Sequence, residues 1–277
     1  MRSVIVTGAS TGIGRATALR LDASGWRVFA GVRDPADGES LRKSSSERLT
    51  PVTLDVTDPE QIAAAAARVE EESDGLHGLV NNAGVAIPGP LETIPLEDFR
   101  RQLEVNLVAY VAVTQALLPS IRKAKGRVVF VSSIGGRIAF PFGGPYHASK
   151  FGTEAIGDVF RQELRPWGLR VAIVEPGSID TPIWERGQRK ATEIEAKAPQ
   201  TDLLYGAAIG KFRKVIQDTA ERGIPPEKVA KAIAHALESS RPRSRYLVGL
   251  DAKVQARLKP LIPTPLFDRI VARTIDL

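Results

Sequence analysis

A glycine-rich turn near the N-terminus constrains the fold more than any other feature of the sequence. A short apolar run, residues 3–7, leads into the turn, and a helical pattern follows from about Ile13 to Ala23. The glycines are spaced G-x-x-x-G-x-G, and their missing Cβ atoms let the backbone approach a pyrophosphate at a helix N-terminus. A simple tight turn is the alternative, but the strand–turn–helix context favours dinucleotide binding. The predicted cofactor contacts are Gly8, Ser10, Thr11, Gly12, Ile13 and Gly14.

Short β-branched runs then alternate with alanine-rich helical patterns, which is typical of βαβ units and a parallel sheet. The predicted strands are 3–7, 26–32, 52–54, 76–81, 127–131, 169–174 and 245–248, and the predicted helices include 13–23, 57–72, 96–120, 145–165 and 227–237. We expect one Rossmann-type, doubly wound α/β domain over residues 1–277. Residues 178–226 are polar and predicted to be irregular apart from a helix around 204–217. We interpret them as a variable substrate lobe, and residues 251–277 as a C-terminal extension.

Composition excludes several other classes of protein. The 38 Lys and Arg against 32 Asp and Glu are spread along the chain, which indicates a mildly basic enzyme surface and no nucleic-acid partner. The absence of cysteine excludes disulfides and thiolate metal sites, and His77, His147 and His235 lack metal-ligand spacing, so no metal is expected. No unbroken apolar run reaches the roughly 18 residues of a membrane span. No secretory signal is recognised at the start, so a cytoplasmic enzyme is expected.

The end of the second predicted strand indicates which dinucleotide is preferred. An acidic residue there bonds the ribose 2′-hydroxyl of NAD, whereas an arginine accommodates the 2′-phosphate of NADP. Val32 occupies the position expected for the acid, and Arg33 follows it. The sequence therefore favours NADP(H), with NAD(H) still possible because Asp34 could neutralise Arg33.

Two further loops follow predicted strands at the same edge of the sheet. Asp55 has two interpretations of equal weight: an acceptor for the adenine amino group, or a residue that caps a helix or is simply a surface carboxylate. The run Asn81-Asn82-Ala83-Gly84 ends the fourth strand, where open α/β sheets bind ligands. We predict that Asn82, Ala83 and Gly84 contact the cofactor, and the alternative is a loop stabilised by side-chain hydrogen bonds.

Tyr146 and Lys150 lie four residues apart on a predicted helix and therefore on one face, with Ser133 thirteen residues before the tyrosine. A lysine ammonium beside a phenol is expected to lower its pKa from about 10 and make it an acid–base group. A surface tyrosine with a solvated lysine is the alternative.

Taken in order, these motifs resemble the short-chain dehydrogenase/reductase family over roughly residues 3–180, with Asn106 and Pro176-Gly177 completing the set. The resemblance implies a seven-stranded parallel sheet with helices on both faces and hydride transfer between a nicotinamide and an alcohol or carbonyl group. Tyr146 would be the acid–base group, Lys150 would hold the ribose, and Ser133, with Ser132 as its rival, would bind the substrate oxygen. Asn106 would bend its helix and hold a water, or else be a locally satisfied buried residue. Pro176, Gly177, Ile179 and Thr181 would contact the nicotinamide side, and His147 would be a substrate-side or packing residue.

Within the family, the segments 28–33, 54–59 and 78–84 look most like the retinol and 17β-hydroxysteroid dehydrogenases, which act on lipophilic alcohols and ketones. A β-ketoacyl thioester reductase and a non-catalytic dinucleotide sensor remain alternatives. The apolar residues of the lobe would line the substrate pocket or simply pack: Ile183, Trp184, Leu203, Leu204, Tyr205, Ile209 and Phe212. The family's usual pairing through its long helices implies a homodimer or homotetramer.

Overall fold

The computed structural model describes all residues, 1–277, and contains one seven-stranded sheet in which every strand pair is parallel. The strands are β1 (Ser3–Val6), β2 (Arg27–Val32), β3 (Leu49–Thr53), β4 (Gly78–Asn81), β5 (Arg127–Val131), β6 (Arg170–Pro176) and β7 (Arg245–Val248). Their order across the sheet is β3-β2-β1-β4-β5-β6-β7. The order reverses between β1 and β4, and the carboxyl ends of these two strands are where such sheets bind ligands.

Helices cover both faces of the sheet. Their bounds are α1 (Gly12–Ala23), α2 (Pro35–Arg42), α3 (Pro59–Glu72), α4 (Leu96–Leu103), α5 (Ala109–Ala124), α6 (Gly144–Glu163), α7 (Ile183–Lys197), α8 (Gln200–Glu221), α9 (Glu227–Glu238), α10 (Leu250–Leu258) and α11 (Thr264–Ile275). Helices α4 and α5 form one continuous rod, joined by a π-helical turn at Glu104–Val108.

Alternating side chains of the strands pack into two separate cores, one on each face of the sheet, because helices cover both faces. In β1, Val4 and Val6 pack in a cluster with residues of α1 and α9, whereas Ile5 packs in a second cluster with residues of α3 and α5. All three side chains are fully buried. Strands covered on both faces read as continuous apolar runs, and this confirms the predicted fold class.

The third strand differs from its prediction of residues 52–54. It spans Leu49–Thr53 and includes Pro51, because β3 is an edge strand that pairs only with β2. A proline lacks the N–H that a central strand needs, but an edge strand tolerates it.

The prediction that residues 178–226 are mostly irregular is wrong. Two helices, α7 and α8, occupy most of this lobe, because their apolar residues find partners outside the sheet. Ile194 packs with Ile87 and Ile94, and Ile209 packs with Phe142. The extension after residue 250 is also helical, and Ile275 of α11 joins the Phe142 cluster.

The rod Leu96–Ala124 is one helix that is long and apolar enough to cross a membrane by length and composition alone. No membrane span is predicted from the sequence, since Thr114, Gln115 and Pro119 interrupt the apolar run. In the structure the rod lies against α3 and α6 and buries Asn106 and Tyr110. Its apolar face is thus part of the second core.

Candidate active site

The glycine turn has the close backbone packing that the sequence predicted. Gly8 and Gly12 have positive φ angles of 64° and 53°, which glycine adopts without strain. A Cβ on Gly14 would lie 2.1 Å from the carbonyl oxygen of Gly8, and one on Gly8 would lie 2.8 Å from Cα of Ala83. The turn therefore lies against the end of β4 and admits no side chain at these positions.

Helix α1 begins at this turn with its first N–H groups unclaimed by a side chain. Thr11 is extended, and its hydroxyl makes no capping hydrogen bond. Unpaired N–H groups and the positive end of the helix dipole favour an anion at this point. The turn and the helix end together fit a dinucleotide pyrophosphate held by main-chain atoms of residues 8–14.

Asn82 supports this turn from the neighbouring strand end. Its side-chain amide donates to the carbonyl oxygens of Thr7 at 2.9 Å and Gly8 at 3.1 Å. The Thr7 hydroxyl in return accepts from the N–H groups of Asn82 and Ala83. The side chain of Asn82 thus makes the structural hydrogen bonds that were the alternative interpretation of this loop, while contacts of Ala83 and Gly84 with the cofactor stay a prediction.

Arg33 directly follows the end of β2, next to the glycine turn. The N–H of Ala9 in the turn donates to the carbonyl of Gly31 in β2 and holds the two segments side by side. Arg33 is exposed and makes no ion pair. Asp34 caps α2 instead, accepting a hydrogen bond from Ala36 N–H at 2.9 Å. The neutralisation of Arg33 by Asp34 that the sequence left open is therefore absent, and the guanidinium remains available to a phosphate.

Asp55 lies at the end of β3 and does not cap α3, whose cap is Asp58. Burial alone would raise the pKa of Asp55. Hydrogen bonds from the Thr57 N–H and hydroxyl, with the charges of Arg101 and Arg33, outweigh burial and hold this pKa below its usual value. One carboxylate oxygen is bound to Thr57, and the other lies 4.0 Å from Arg101.

The structure brings Ser133 and Tyr146 together. Ser133 is extended and begins a short 3-10 turn, with its oxygen accepting from Gly135 N–H at 3.0 Å. Its hydroxyl lies near the half-buried phenol of Tyr146 and lowers the pKa of that phenol. Ser132 is buried, and its Oγ would lie 2.9 Å from a Cβ on Gly136. The choice of Ser133 over Ser132 as the group that binds the substrate oxygen stays a prediction.

Lys150 lies below Tyr146 with its ammonium buried. Its Nζ donates to the carbonyl of Val131 at 2.9 Å and lies 5.8 Å from the centre of the Tyr146 ring. The hydroxyl of Tyr110, a residue that the sequence analysis did not single out, donates to the same carbonyl at 3.3 Å. Burial lowers the pKa of Lys150 to about 8, opposed by the negative charge of Glu154.

The expected lowering of the tyrosine pKa by the lysine does not occur in this structure. Burial raises the pKa of Tyr146, and the hydrogen bond with Ser133 offsets only part of this rise. The lysine ammonium donates to the Val131 carbonyl and not to the phenol oxygen, so it does not lower the pKa of the phenol. The phenol of Tyr146 is consequently protonated at neutral pH.

The depressed pKa of Lys150 predicts a pH-dependent stability. Between pH 8 and about 10.4 the unfolded lysine keeps its proton and the folded one loses it, so the free energy of unfolding rises with pH. We expect the difference between wild type and Lys150→Met to shift by about 2 kcal/mol in favour of wild type from pH 7.5 to 9.5. Urea unfolding of the cofactor-free protein at both pH values measures it. Parallel stabilities of the two proteins across this range would contradict the buried lysine.

Asn106 lies inside the π-helical turn, where the prediction expected a bent helix. Its side chain accepts from Val85 N–H at 2.9 Å and donates to Val85 O at 3.0 Å and to Ser149 at 3.3 Å. The Asn106 carbonyl accepts from the Thr153 hydroxyl of α6. These bonds lock the rod to the helix that carries Tyr146, which agrees with the alternative of a locally satisfied residue. The predicted water remains a prediction.

The turn after β6 is fixed by a residue that the sequence analysis missed. Asp251 accepts from Ser178 N–H at 2.6 Å, and a Cβ on Gly177 would lie 2.2 Å from its carboxylate. The sequence predicts a site role for Pro176-Gly177, but it has no local signal for Asp251, which lies 74 residues after Gly177. Thr181 lies against Gly12, and a Cβ on that glycine would be 2.9 Å from the Thr181 methyl. Ile179 is buried in the first core, and its main-chain carbonyl accepts a hydrogen bond from the Trp184 indole N–H at 2.7 Å, so its predicted contact with the nicotinamide side stays a prediction.

His147 is placed as a packing residue. Its Nδ1 lies 2.9 Å from the carbonyl of Gly135, and burial lowers its pKa while this hydrogen bond raises it. The histidine thereby supports the turn that follows Ser133, and it makes no contact with the Tyr146 phenol oxygen.

Comparison with known proteins agrees with this geometry. The family model for short chain dehydrogenases matches residues 2–192. Retinol dehydrogenase 5 of Homo sapiens is 40% identical over 277 residues, covering 97% of this chain and 87% of its own. The 17-beta-hydroxysteroid dehydrogenase type 6 of Bos taurus is 40% identical over 282 residues, covering 98% and 88%. A crystal structure of a short chain dehydrogenase from Burkholderia cenocepacia in complex with NADP has a TM-score of 0.75 at 27% identity, covering 97% and 98%.

The family match extends from the glycine turn through Tyr146 and Lys150 to the start of the lobe, so it includes both ends of the cleft. With the serine, tyrosine and lysine assembled beside a dinucleotide turn, the chain belongs to the short-chain dehydrogenase family of NAD(P)-dependent oxidoreductases.

Proposed function

We propose that the protein interconverts a carbonyl and an alcohol group on a lipophilic substrate, with NADP(H) preferred over NAD(H) and Tyr146 as the acid–base residue. The observation that carries this proposal is the placement of Ser133 near the Tyr146 phenol, above a buried Lys150. These groups lie at the carboxyl end of the sheet, beside the turn that fits a pyrophosphate.

In the direction of reduction, the neutral phenol of Tyr146 donates its proton to the carbonyl oxygen of the substrate as that oxygen gains negative charge. Ser133, fixed by Gly135 N–H, donates a second hydrogen bond to the same oxygen and stabilises its charge. Lys150, whose ammonium now donates to the Val131 carbonyl beneath the Tyr146 ring, would hold the nicotinamide ribose. When bound, the dinucleotide supplies the hydride.

Apolar side chains around the mouth of the site favour a lipophilic substrate. Phe142, in the segment between Ser133 and Tyr146, packs edge-on against Tyr205 and Phe212 of the lobe. Leu203 and Leu204 remain mostly exposed on the same helix. The names of the two similar proteins given above, which refer to retinol and to hydroxysteroids, support the same class of substrate.

The test of this function is NADPH or NADH oxidation with a panel of steroid ketones, retinal, aromatic aldehydes and an acetoacetyl thioester. Turnover of a lipophilic carbonyl is expected. Turnover confined to the thioester would replace this proposal with a β-ketoacyl thioester reductase. Cofactor binding without turnover of any carbonyl would favour a dinucleotide sensor.

The preference for NADP(H) is tested with Arg33→Ala. Loss of one charge-assisted contact to the 2′-phosphate costs about 1.5–3 kcal/mol, so the NADPH dissociation constant is expected to rise about 10- to 100-fold. The NADH dissociation constant is expected to stay within about twofold of wild type, since NADH lacks that phosphate. Arg42→Ala, an exposed arginine of α2 paired with Glu39, is the matched control. Equal losses for both cofactors in Arg33→Ala would contradict the assignment.

We also propose that the protein pairs through α6. Phe151, Ala155 and Val159 recur at four-residue intervals on this helix and are exposed, so they form an apolar stripe that no other part of the chain covers. Light scattering after size exclusion is expected to give a dimer or tetramer for wild type. Phe151→Lys combined with Val159→Lys is expected to give a smaller species, whereas Val215→Lys on α8 is expected to leave the mass unchanged. An unchanged mass in the double variant would exclude this stripe from the interface.

A further inference from the structure

Behind the catalytic residues lies a cluster of partly buried ionic groups that the proposed mechanism does not use. Its centre is Arg245, the first residue of β7, which binds three carboxylates. Its guanidinium donates to Glu154 at 3.0 Å and to both oxygens of Asp158 at 3.0 and 2.8 Å. Its Nε lies 3.2 Å from Glu175, whose side chain is fully buried. Arg137 closes the cluster by donating to Glu175 at 2.9 Å.

The members of this cluster come from the three segments that carry the site. Arg137 follows Ser133 by four residues, Glu154 follows Lys150 by one helical turn, and Glu175 directly precedes Pro176-Gly177. The segments also touch at Gly136, where a Cβ would lie 2.8 Å from the Lys150 carbonyl and 3.0 Å from Cγ of Glu154. A shift of any one segment would therefore strain or break the ionic contacts of the other two.

Stability alone is a poor explanation for these groups. Buried ion pairs are often replaced by apolar residues with little loss or even a gain in stability, because removing charges from water is costly. One oxygen of Glu154 is buried without a hydrogen-bond partner, so the cluster is not even fully satisfied. Burial and the neighbouring Glu154 charge raise the pKa of Glu175, while Arg137 and Arg245 oppose this rise. Burying these charges thus disfavours the folded state, while the hydrogen bonds of the two arginines fix the carboxylates in definite positions.

We infer that Arg245 is a positioning residue, which through Glu154, Glu175 and Arg137 holds Lys150, the 176–177 turn and the Ser133 segment in one register. The inference rests on the function proposed above. A planar guanidinium fork fixes two carboxylates in direction as well as distance, which a lysine ammonium does not. Removal of Arg245 leaves Glu154 and Glu175 facing each other with one cation fewer between them. The segments then move apart while the distant glycine turn and Arg33 remain in place.

The test compares Arg245→Met and Arg245→Lys with the matched control Arg27→Met. Arg27 is also the first residue of its strand, has a side chain that is 32% exposed against 29% for Arg245, and is paired with a carboxylate, Glu72. It lies in the cofactor half of the sheet and touches no catalytic segment. The full-length proteins are compared by NADPH dissociation constant, kcat on a substrate of the wild type, and hydrogen exchange of the cofactor-free chain.

For Arg245→Met we expect kcat to fall by about 10- to 100-fold, as misplacement by about 1 Å does, with the NADPH dissociation constant within about threefold of wild type. Hydrogen exchange is expected to accelerate in residues 134–143 and 176–181 and to stay unchanged in residues 3–14. Arg245→Lys is expected to recover part of kcat. Arg27→Met is expected to leave kcat and these two segments unchanged.

Unchanged exchange in both segments of Arg245→Met would overturn the inference, and so would acceleration spread evenly over the chain. A kcat within about threefold of wild type would also overturn it. Failure of the wild type to reduce any carbonyl would count against the proposed function only, since the exchange measurement needs no substrate and still decides whether Arg245 holds the segments.

Discussion

Tyr146→Phe is expected to lower kcat for carbonyl reduction by about 10²- to 10⁴-fold, the usual contribution of a positioned acid–base group. The phenylalanine ring keeps the shape of the site but carries no proton to donate. Ser133 then remains as the sole side-chain donor to the substrate oxygen, and the developing charge is left partly unpaired. Steady-state absorbance at saturating NADPH measures the loss directly.

The control for this variant is Tyr246→Phe, because Tyr246 is also a partly buried phenol with hydrogen bonds, to His235 and to Arg243 N–H. We expect Tyr246→Phe to retain wild-type kcat and to lose about 1 kcal/mol of stability. Tyr146→Phe should bind NADPH as wild type does, which separates a catalytic loss from misfolding. A Tyr146→Phe protein with kcat within tenfold of wild type would rule out the phenol as the main proton donor.

Gly14→Ala is expected to weaken NADPH binding by about 100-fold or more. The new Cβ would lie 2.1 Å from the Gly8 carbonyl oxygen and 2.5 Å from the Asn82 amide nitrogen, so the turn must move. Loss of two charge-assisted hydrogen bonds to the pyrophosphate accounts for about 3 kcal/mol or more. Overpacking adds a loss of about 1–3 kcal/mol in the free energy of unfolding. Fluorescence titration with NADPH and urea unfolding measure the two effects.

Gly210→Ala is the matched control, because a Cβ at this position of α8 meets no atom within 4 Å. Alanine has the higher helix propensity, so this variant is expected to gain about 0.5–1 kcal/mol of stability and to keep the wild-type NADPH affinity. Wild-type affinity in Gly14→Ala would mean that the turn does not hold the cofactor.

The sequence predicted the cofactor half of the molecule closely because its signals are local. The glycine turn, the alternating strands and the spacing of Ser133 from Tyr146 each follow from neighbouring residues, and the structure places them as expected. The lobe was predicted less well. Its helices are stabilised by contacts such as Ile209 with Phe142, which join residues far apart in the chain.

Long-range contacts also explain what the sequence could not reveal in the site. The pKa of Tyr146 depends on how deeply the folded chain buries the phenol, and the expected effect of the lysine ignored that burial. Asp251 and Arg245 carry no local motif, and only the sheet topology, which places β7 beside β6, brings them to the catalytic segments.

The clamp of Asp251 on the 176–178 turn has a consequence for the order of events during synthesis. Chains emerge from the ribosome with the N-terminus first. The pyrophosphate turn leads into α1, which packs against α9, and the 176–178 turn needs Asp251, so both ends of the cleft wait for residues beyond 226. The Phe142 segment waits further still, for Ile275 near the last residue. A chain released before these residues emerge would therefore lack contacts that complete both the pyrophosphate end and the catalytic end of the cleft.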